Sequence, residues 1–267
     1  MIRLFNMRAL AALVIVGAGD RNDALELPIG GTAQAGPTQQ SQIRPALPQP
    51  VPTPHPGGNV KPAIIATTAL AGFTDLSAAR QKLIKTALAV ATDSPWLPYV
   101  PGGADPAQGG LDCSGAMYCV LTRCGLSPPR TSAGQYAWLR DHGQLHLVAD
   151  EATTADDPSL AGLRPGDLLF WATGQQAEDV KIPNITHVAM YLGRQTGDGL
   201  RVMINASDGR SYRGVRSNGY GVYDFRMPPR ESKSKLVGYG PPPGMVAQRL
   251  PGHRNPAGGA VGKTGGK

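Results

Sequence analysis

No run of the roughly 20 apolar residues that a membrane-spanning helix needs occurs in this sequence. Cysteine is scarce, with three residues in 267, and none falls in the first hundred positions, so an N-terminal lipoprotein anchor is excluded. Neither CxxC nor HExxH is present, and no third soft ligand accompanies any Cys–His pair, which argues against a structural zinc site. The chain has no P-loop for nucleotide phosphates, no Gly-X-Y period of collagen and no internal repeat. Aromatic residues make up only 6%, too few for a base-stacking surface to be read from them, and Trp96, Trp138 and Trp171 are expected in the core or a groove wall.

What is abundant is glycine and proline, 35 and 25 residues, against a hydrophobic share of 41%. One folded domain flanked by tails is the natural division. The formal net charge of +7 is unevenly spread. Residues 1–75 hold 5 basic and 4 acidic side chains, residues 76–226 hold 14 of each, and residues 227–267 hold 7 basic and 1 acidic. The middle therefore carries no basic surplus, and no nucleic-acid partner is expected; the cationic end suits diffuse attraction to polyanions.

Arg3 and Arg8 precede the apolar run from Ala9 to Ala18. A basic start and so short an apolar run fit a secretory signal. The alternative is a dinucleotide-fold strand at Val14–Gly19, but Asn22 stands where that motif wants a glycine. Residues 1–27 are read as the signal-like segment. Residues 28–74 are read as a proline-rich disordered linker, since such composition cannot bury enough surface to offset its ordering entropy. Residues 75–226 are the expected folded domain, and residues 227–267 a basic, Gly/Pro-rich disordered tail.

Within 75–226, Leu76, Ala79, Leu83, Ile84, Ala87 and Leu88 recur at helical spacing, with Ser77 as cap. A second helix is expected to begin at Cys113 and stop at Gly125, and a third to run from Ser132 to His142. Short apolar runs at 167–171, 187–192, 201–205 and 219–225 read as strands. Helices first and strands later predict an α+β fold with an antiparallel sheet.

Cys113 at a helix start should have its thiol pKa lowered by the first-turn amides, with the neighbouring Asp112 opposing that unless its carboxylate is engaged elsewhere. His187 opens one strand and Asn205 ends the strand expected to pair with it. A hairpin brings them together, so that the Asn205 oxygen accepts from one ring nitrogen and the other faces the thiol. Cys119 and Cys124, five apart on one helix, diverge too far for a disulfide and are expected as small buried residues. His142 and His146 are expected at the surface, and His55 and His253 in disordered sequence.

At these residues the sequence resembles the NlpC/P60 family of papain-like peptidases, which cut peptide stems of bacterial cell walls. The similarity rests on Pro98–Gly103 with Tyr99, on Leu111-Asp-Cys-Ser-Gly115, on Pro129–Ser132 with Gln135, on Leu163–Trp171 and on Ile185–Gly193, in that order. It implies a papain-like domain with N-terminal helices packed on the sheet, Cys113 as nucleophile, His187 as base and Asn205 as third polar residue. It further implies Tyr99 pointing into the site, Asp112 and Ser114 holding the substrate peptide, the Cys113 amide as oxyanion donor, and no metal or cofactor. The bond implied is a D-γ-glutamyl link to a diamino acid in peptidoglycan or muropeptides. A monomer acting outside the cytoplasm is expected. The segments 172–185 and 194–200 are longer than a minimal member needs. A non-cleaving peptidoglycan-binding or regulatory module is the alternative from another class, and a toxin or phage lysis factor is the alternative use of the same hydrolase.

Overall fold

The computed structural model describes residues 58–94, 96–174 and 183–245, all within one compact unit. The signal-like segment, most of the proline-rich stretch with His55, and the end of the basic tail with His253 lie outside the described residues, as does much of the 172–185 insertion. Three helices, α1 (Ala78–Thr92), α2 (Cys113–Arg123) and α3 (Ser132–Asp141), precede most of a six-stranded sheet. Its strands are β1 (His146–Leu147), β2 (Leu168–Thr173), β3 (Ile185–Arg194), β4 (Arg201–Tyr212), β5 (Val215–Asp224) and β6 (Ser234–Gly240). The sheet order is β1-β6-β2-β3-β4-β5, every pairing antiparallel. This is the α+β arrangement expected, with helices packed on an antiparallel sheet.

The helices form where side chains satisfy their first-turn amides. Ser77 Oγ accepts from the Arg80 N–H, Asp112 from Gly115 and Thr131 from Gly134. The C-terminus of α2 closes at Gly125, whose φ of 88° is the left-handed conformation open to glycine, and the Leu126 N–H returns to the Leu121 carbonyl. Both sheet faces are covered. Leu83, Ile84, Met117, Val120 and Leu139 from the helices pack against Leu168, Phe170, Val188, Met190, Ile204 and Val222. On the other face Leu169, Trp171, Ala189, Tyr191, Met203 and Tyr223 pack beneath Val148 and Leu160 from the connection before β2. Burial on both sides is why these strands read as nearly continuous apolar runs. Arg80 of α1 pairs with buried Asp167 just before β2 at 2.8 Å, fixing helix to sheet.

The ordered part extends past both expected boundaries. At the start, Leu70 and Phe73 are buried, the Val222 N–H donates to the Ala63 carbonyl at 2.8 Å, and the Asn218 N–H donates to Val60 at 2.9 Å. β5 is an edge strand, and residues 60–63 take up amides it would otherwise leave bare. At the other end β6, inside the segment read as tail, lies between β1 and β2. Its glycines made it look like a loop, yet they are packing positions: a Cβ at Gly240 would stand 2.0 Å from the Gln144 carbonyl oxygen. Leu236 and Tyr239 of β6 are buried in the second core.

Candidate active site

The site grows from the N-terminus of α2 and the facing ends of β2, β3 and β4. Asp112 caps α2 and is saturated: its carboxylate accepts from the Gly115 N–H at 2.6 Å, the Gly102 N–H at 2.9 Å, the Ser114 hydroxyl at 3.1 Å and Arg130 at 2.9 Å. Arg130 also donates to Ser114 Oγ and to the carbonyls of Gly102 and Gly103. These bonds, led by that from Arg130, hold the Asp112 carboxyl below its ordinary range against the opposing effect of burial. Asp112 and Ser114 thus brace the 98–111 loop against the helix. The loop can approach so closely because Gly115 has no side chain; a Cβ there would lie 1.9 Å from the Gly103 oxygen. Buried Gln135 adds a further brace, its amide donating to the carbonyls of Ser114 and Pro129.

Cys113 begins α2 and is 7% exposed. The first-turn amides act to lower its pKa as the sequence suggested, but they are outweighed. Burial pushes the thiol up, the Asp112 charge adds to that, and the amides of Val188, Ser114 and Cys113 itself only partly offset it. The Val188 amide is instructive. The β3–β4 ladder runs from Arg194–Arg201 to Met190–Ile204. Val188, whose amide acts on the thiol, lies beyond the Met190 end of that ladder and next to His187.

His187 and buried Asn205 meet across these strands, Asn205 Nδ2 lying 2.5 Å from His187 Nε2. The hairpin thus joins the two residues as expected, though the carboxamide nitrogen rather than the oxygen faces the ring. Asn205 Oδ1 is buried without a partner. Turning the carboxamide end for end presents this oxygen to the ring whenever Nε2 carries a proton. Burial, then the Arg210 cation, pushes the His187 pKa well below 6.5. At neutral pH thiol and imidazole are both uncharged. Tyr99 is held by its N–H donating to Asn218 Oδ1 at 2.9 Å. Its hydroxyl pKa is pushed up to about 12 by burial and by the charges of Cys113, Asp112 and Asp208, so it remains a donor.

Two neighbours were not singled out from the sequence as site residues. Trp171, directly across the β2–β3 ladder from His187, tilts its ring at 60° to the imidazole with centroids 5.5 Å apart. The Arg210 guanidinium stacks over the same indole at 4.5 Å. Strict alternation from Asn205 puts Arg210 on the opposite face. A bulge between Asp208 and Ser211 inserts one extra residue, with Gly209 at φ 96°, and turns Arg210 back toward His187. Arg130 and Gln135 were visible as motif letters without roles, and only their contacts reveal the bracing.

Cys119 and Cys124 are not bridged to each other or to Cys113; Cys119 is buried and Cys124 half-buried. Among the described residues no group of three or more His, Cys, Asp or Glu is placed to hold a metal ion, and no helix is long and apolar enough to cross a membrane.

Residues 97–226 match the model of the NlpC/P60 family. Over 126 residues the chain is 34% identical to the probable endopeptidase p60 of Listeria monocytogenes and 33% identical to that of Listeria welshimeri, covering 47% of this chain. It spans only about a fifth of the length of these relatives, 19% and 18%. Among solved structures, an NLP/P60 family protein of Staphylococcus aureus is 25% identical with a TM-score of 0.37, covering 62% of this chain and 42% of that one. The peptidoglycan hydrolase RipB of Mycobacterium tuberculosis is 22% identical with a TM-score of 0.36, covering 62% and 69%. With a helix-borne cysteine and a strand-borne histidine on its α+β frame, this chain carries an NlpC/P60 family domain over residues 97–226.

Proposed function

We propose that the chain is a cysteine endopeptidase, exported from the cytoplasm, that hydrolyses the D-γ-glutamyl–diamino acid bond of peptidoglycan stem peptides. The observation that carries the reading is the Asn205–His187 contact, on a strand whose next amide, that of Val188, acts on the Cys113 thiol. The Listeria relatives, named probable endopeptidases, support the reaction type. The family resemblance supports the bond.

With both partners neutral at rest, His187 acts as general base when substrate arrives. Its free ring nitrogen takes the Cys113 proton as sulfur attacks the γ-carbonyl. Asn205 turns its oxygen to the protonated ring and steadies the imidazolium. The Cys113 amide and the Tyr99 hydroxyl are donors for the developing oxyanion. The imidazolium then gives its proton to the leaving amine as the C–N bond breaks. Water attacks the thioester, His187 takes its proton, and Cys113 leaves as the thiol.

The test is a digest of purified sacculi and of soluble tri- and tetrapeptide stems, read by mass spectrometry with wild type and Cys113→Ala. Fragments ending in D-glutamate, released by wild type only, are expected. Equal release by Cys113→Ala would refute the nucleophile. Binding without release from any substrate would favour a non-cleaving wall-binding module.

A further inference from the structure

Among the described residues Arg210 stands beside His187 and makes no ion pair. It reaches that face through the bulge in β4, sits over the Trp171 ring with its guanidinium carbon 4.5 Å from the centroid, and is partly withdrawn from water. Among the described residues no carboxylate is paired with it. Arg130, by contrast, is spent on Asp112 and the 98–111 loop. The other titratable groups facing this end are Cys113 and Asp112 from α2 and its cap, Tyr99 from the loop before it, Asp208 from β4 and Tyr223 from β5. Burial brings the Arg210 pKa down to about 10, and its cation in turn depresses His187. A desolvated cation without a counter-charge is costly, and stacking on an indole recovers only part of that cost. A planar guanidinium fixed by stacking is also the group best matched to a carboxylate's two oxygens.

We propose that Arg210, stacked on Trp171 beside His187, selects substrate by binding a free carboxylate on the residue that supplies the scissile carbonyl. This rests on the reading of the site as a γ-glutamyl endopeptidase. A γ-linked glutamate keeps its α-carboxylate, a few bonds from the carbonyl under attack, whereas the same residue amidated offers none. The arrangement couples binding to catalysis. A carboxylate on Arg210 offsets the part of the His187 depression that the cation adds to burial, so an acidic substrate makes the base stronger as it docks. A carboxamide leaves the base weak and the cation unpaired.

The experiment uses two synthetic stem peptides that differ only in free α-carboxylate or α-carboxamide at that glutamate. Wild type is expected to show kcat/KM higher for the carboxylate by about 10- to 100-fold, the scale of losing a hydrogen bond to a charged group. Arg210→Gln should bring the ratio near one, and Arg210→Lys, which keeps charge but not the planar fork, should fall between. In Cys113→Ala protein, an NMR titration should show the His187 pKa rising when the carboxylate peptide binds. In Cys113→Ala/Arg210→Gln it should start higher and not move. A wild type that cuts both peptides equally, or an Arg210→Gln that keeps the preference, overturns the proposal and leaves the endopeptidase reading intact. If neither peptide is cut, that reading fails, and calorimetry with Cys113→Ala decides this one. Tighter binding of the carboxylate peptide, lost on Arg210→Gln, upholds it; equal or absent binding overturns it.

Discussion

Gly115→Ala sets two effects of opposite sign against each other. Gly115 lies inside α2, where alanine is the better helix former by about 0.5–1 kcal/mol. On propensity alone the substitution stabilises. The structure reverses that sign. The added Cβ would stand 1.9 Å from the Gly103 carbonyl oxygen and 2.9 Å from Ala104 Cα, both backbone atoms that no rotamer change can move away. Ordinary contact requires the loop to retreat by more than an ångström. The Gly103 oxygen accepts from the Asp112 N–H at 3.0 Å and from Arg130 at 3.0 Å, so retreat strains both bonds and shifts the strand of loop that carries Tyr99. Overpacking of this kind costs about 1–3 kcal/mol. Net destabilisation of up to about 2.5 kcal/mol remains after the propensity gain, a fall in Tm of up to roughly 10 °C for a domain of this size. Misplacement of about 1 Å near the reacting atoms lowers kcat/KM by up to about 100-fold. Calorimetry and peptide hydrolysis on the same preparation read both. A Gly115→Ala protein that melts higher than wild type and cuts as fast would refute the reasoning.

Four further outcomes follow from the same geometry. Because His187 is depressed well below 6.5 and must be neutral to act, the acid limb of kcat/KM should lie below pH 6.5; a limb above 6.5 contradicts that electrostatic picture. The raised thiol pKa of Cys113 should make iodoacetamide labelling at pH 7 slower than for a free cysteine and let it climb only at higher pH than a free cysteine needs, followed by mass spectrometry of the Cys113 peptide. Asn205→Ala should lower kcat by about 10- to 100-fold with KM little changed, because it frees the ring without removing nucleophile or base, and a drop as deep as that of Cys113→Ala would argue for a larger role. Ending the chain at residue 232 removes β6 from between β1 and β2 and should abolish cooperative unfolding by circular dichroism; a sharp native-like melt would show that β6 is dispensable.

The chemistry-bearing residues were legible because their signals are local. Asp112 next to Cys113 caps a helix through contacts within three residues, so the motif carries its own structure. His187 and Asn205 lie on strands joined by a tight turn, closed by the Gln195 N–H on the Leu200 carbonyl at 2.8 Å, and alternation suffices to bring them together. The misreadings share a different cause. β6 and residues 58–74 look like tail and linker because they adjoin sequence rich in glycine and proline, yet their order comes from partners distant in sequence.

The sequence by itself determined the helix starts, the order of helices and strands, and the cysteine, histidine and asparagine that meet at one end of the sheet. Periodicity and capping are set by neighbours along the chain, and these residues obey them. Only the tertiary structure decided the protonation balance of the site and the placement of Arg210. Burial outweighs the helix N-terminus at Cys113, and desolvation depends on what the rest of the chain lays over a group. One bulge residue in β4 reverses the face on which Arg210 stands, and a bulge is fixed by the pairing of two strands rather than by either alone.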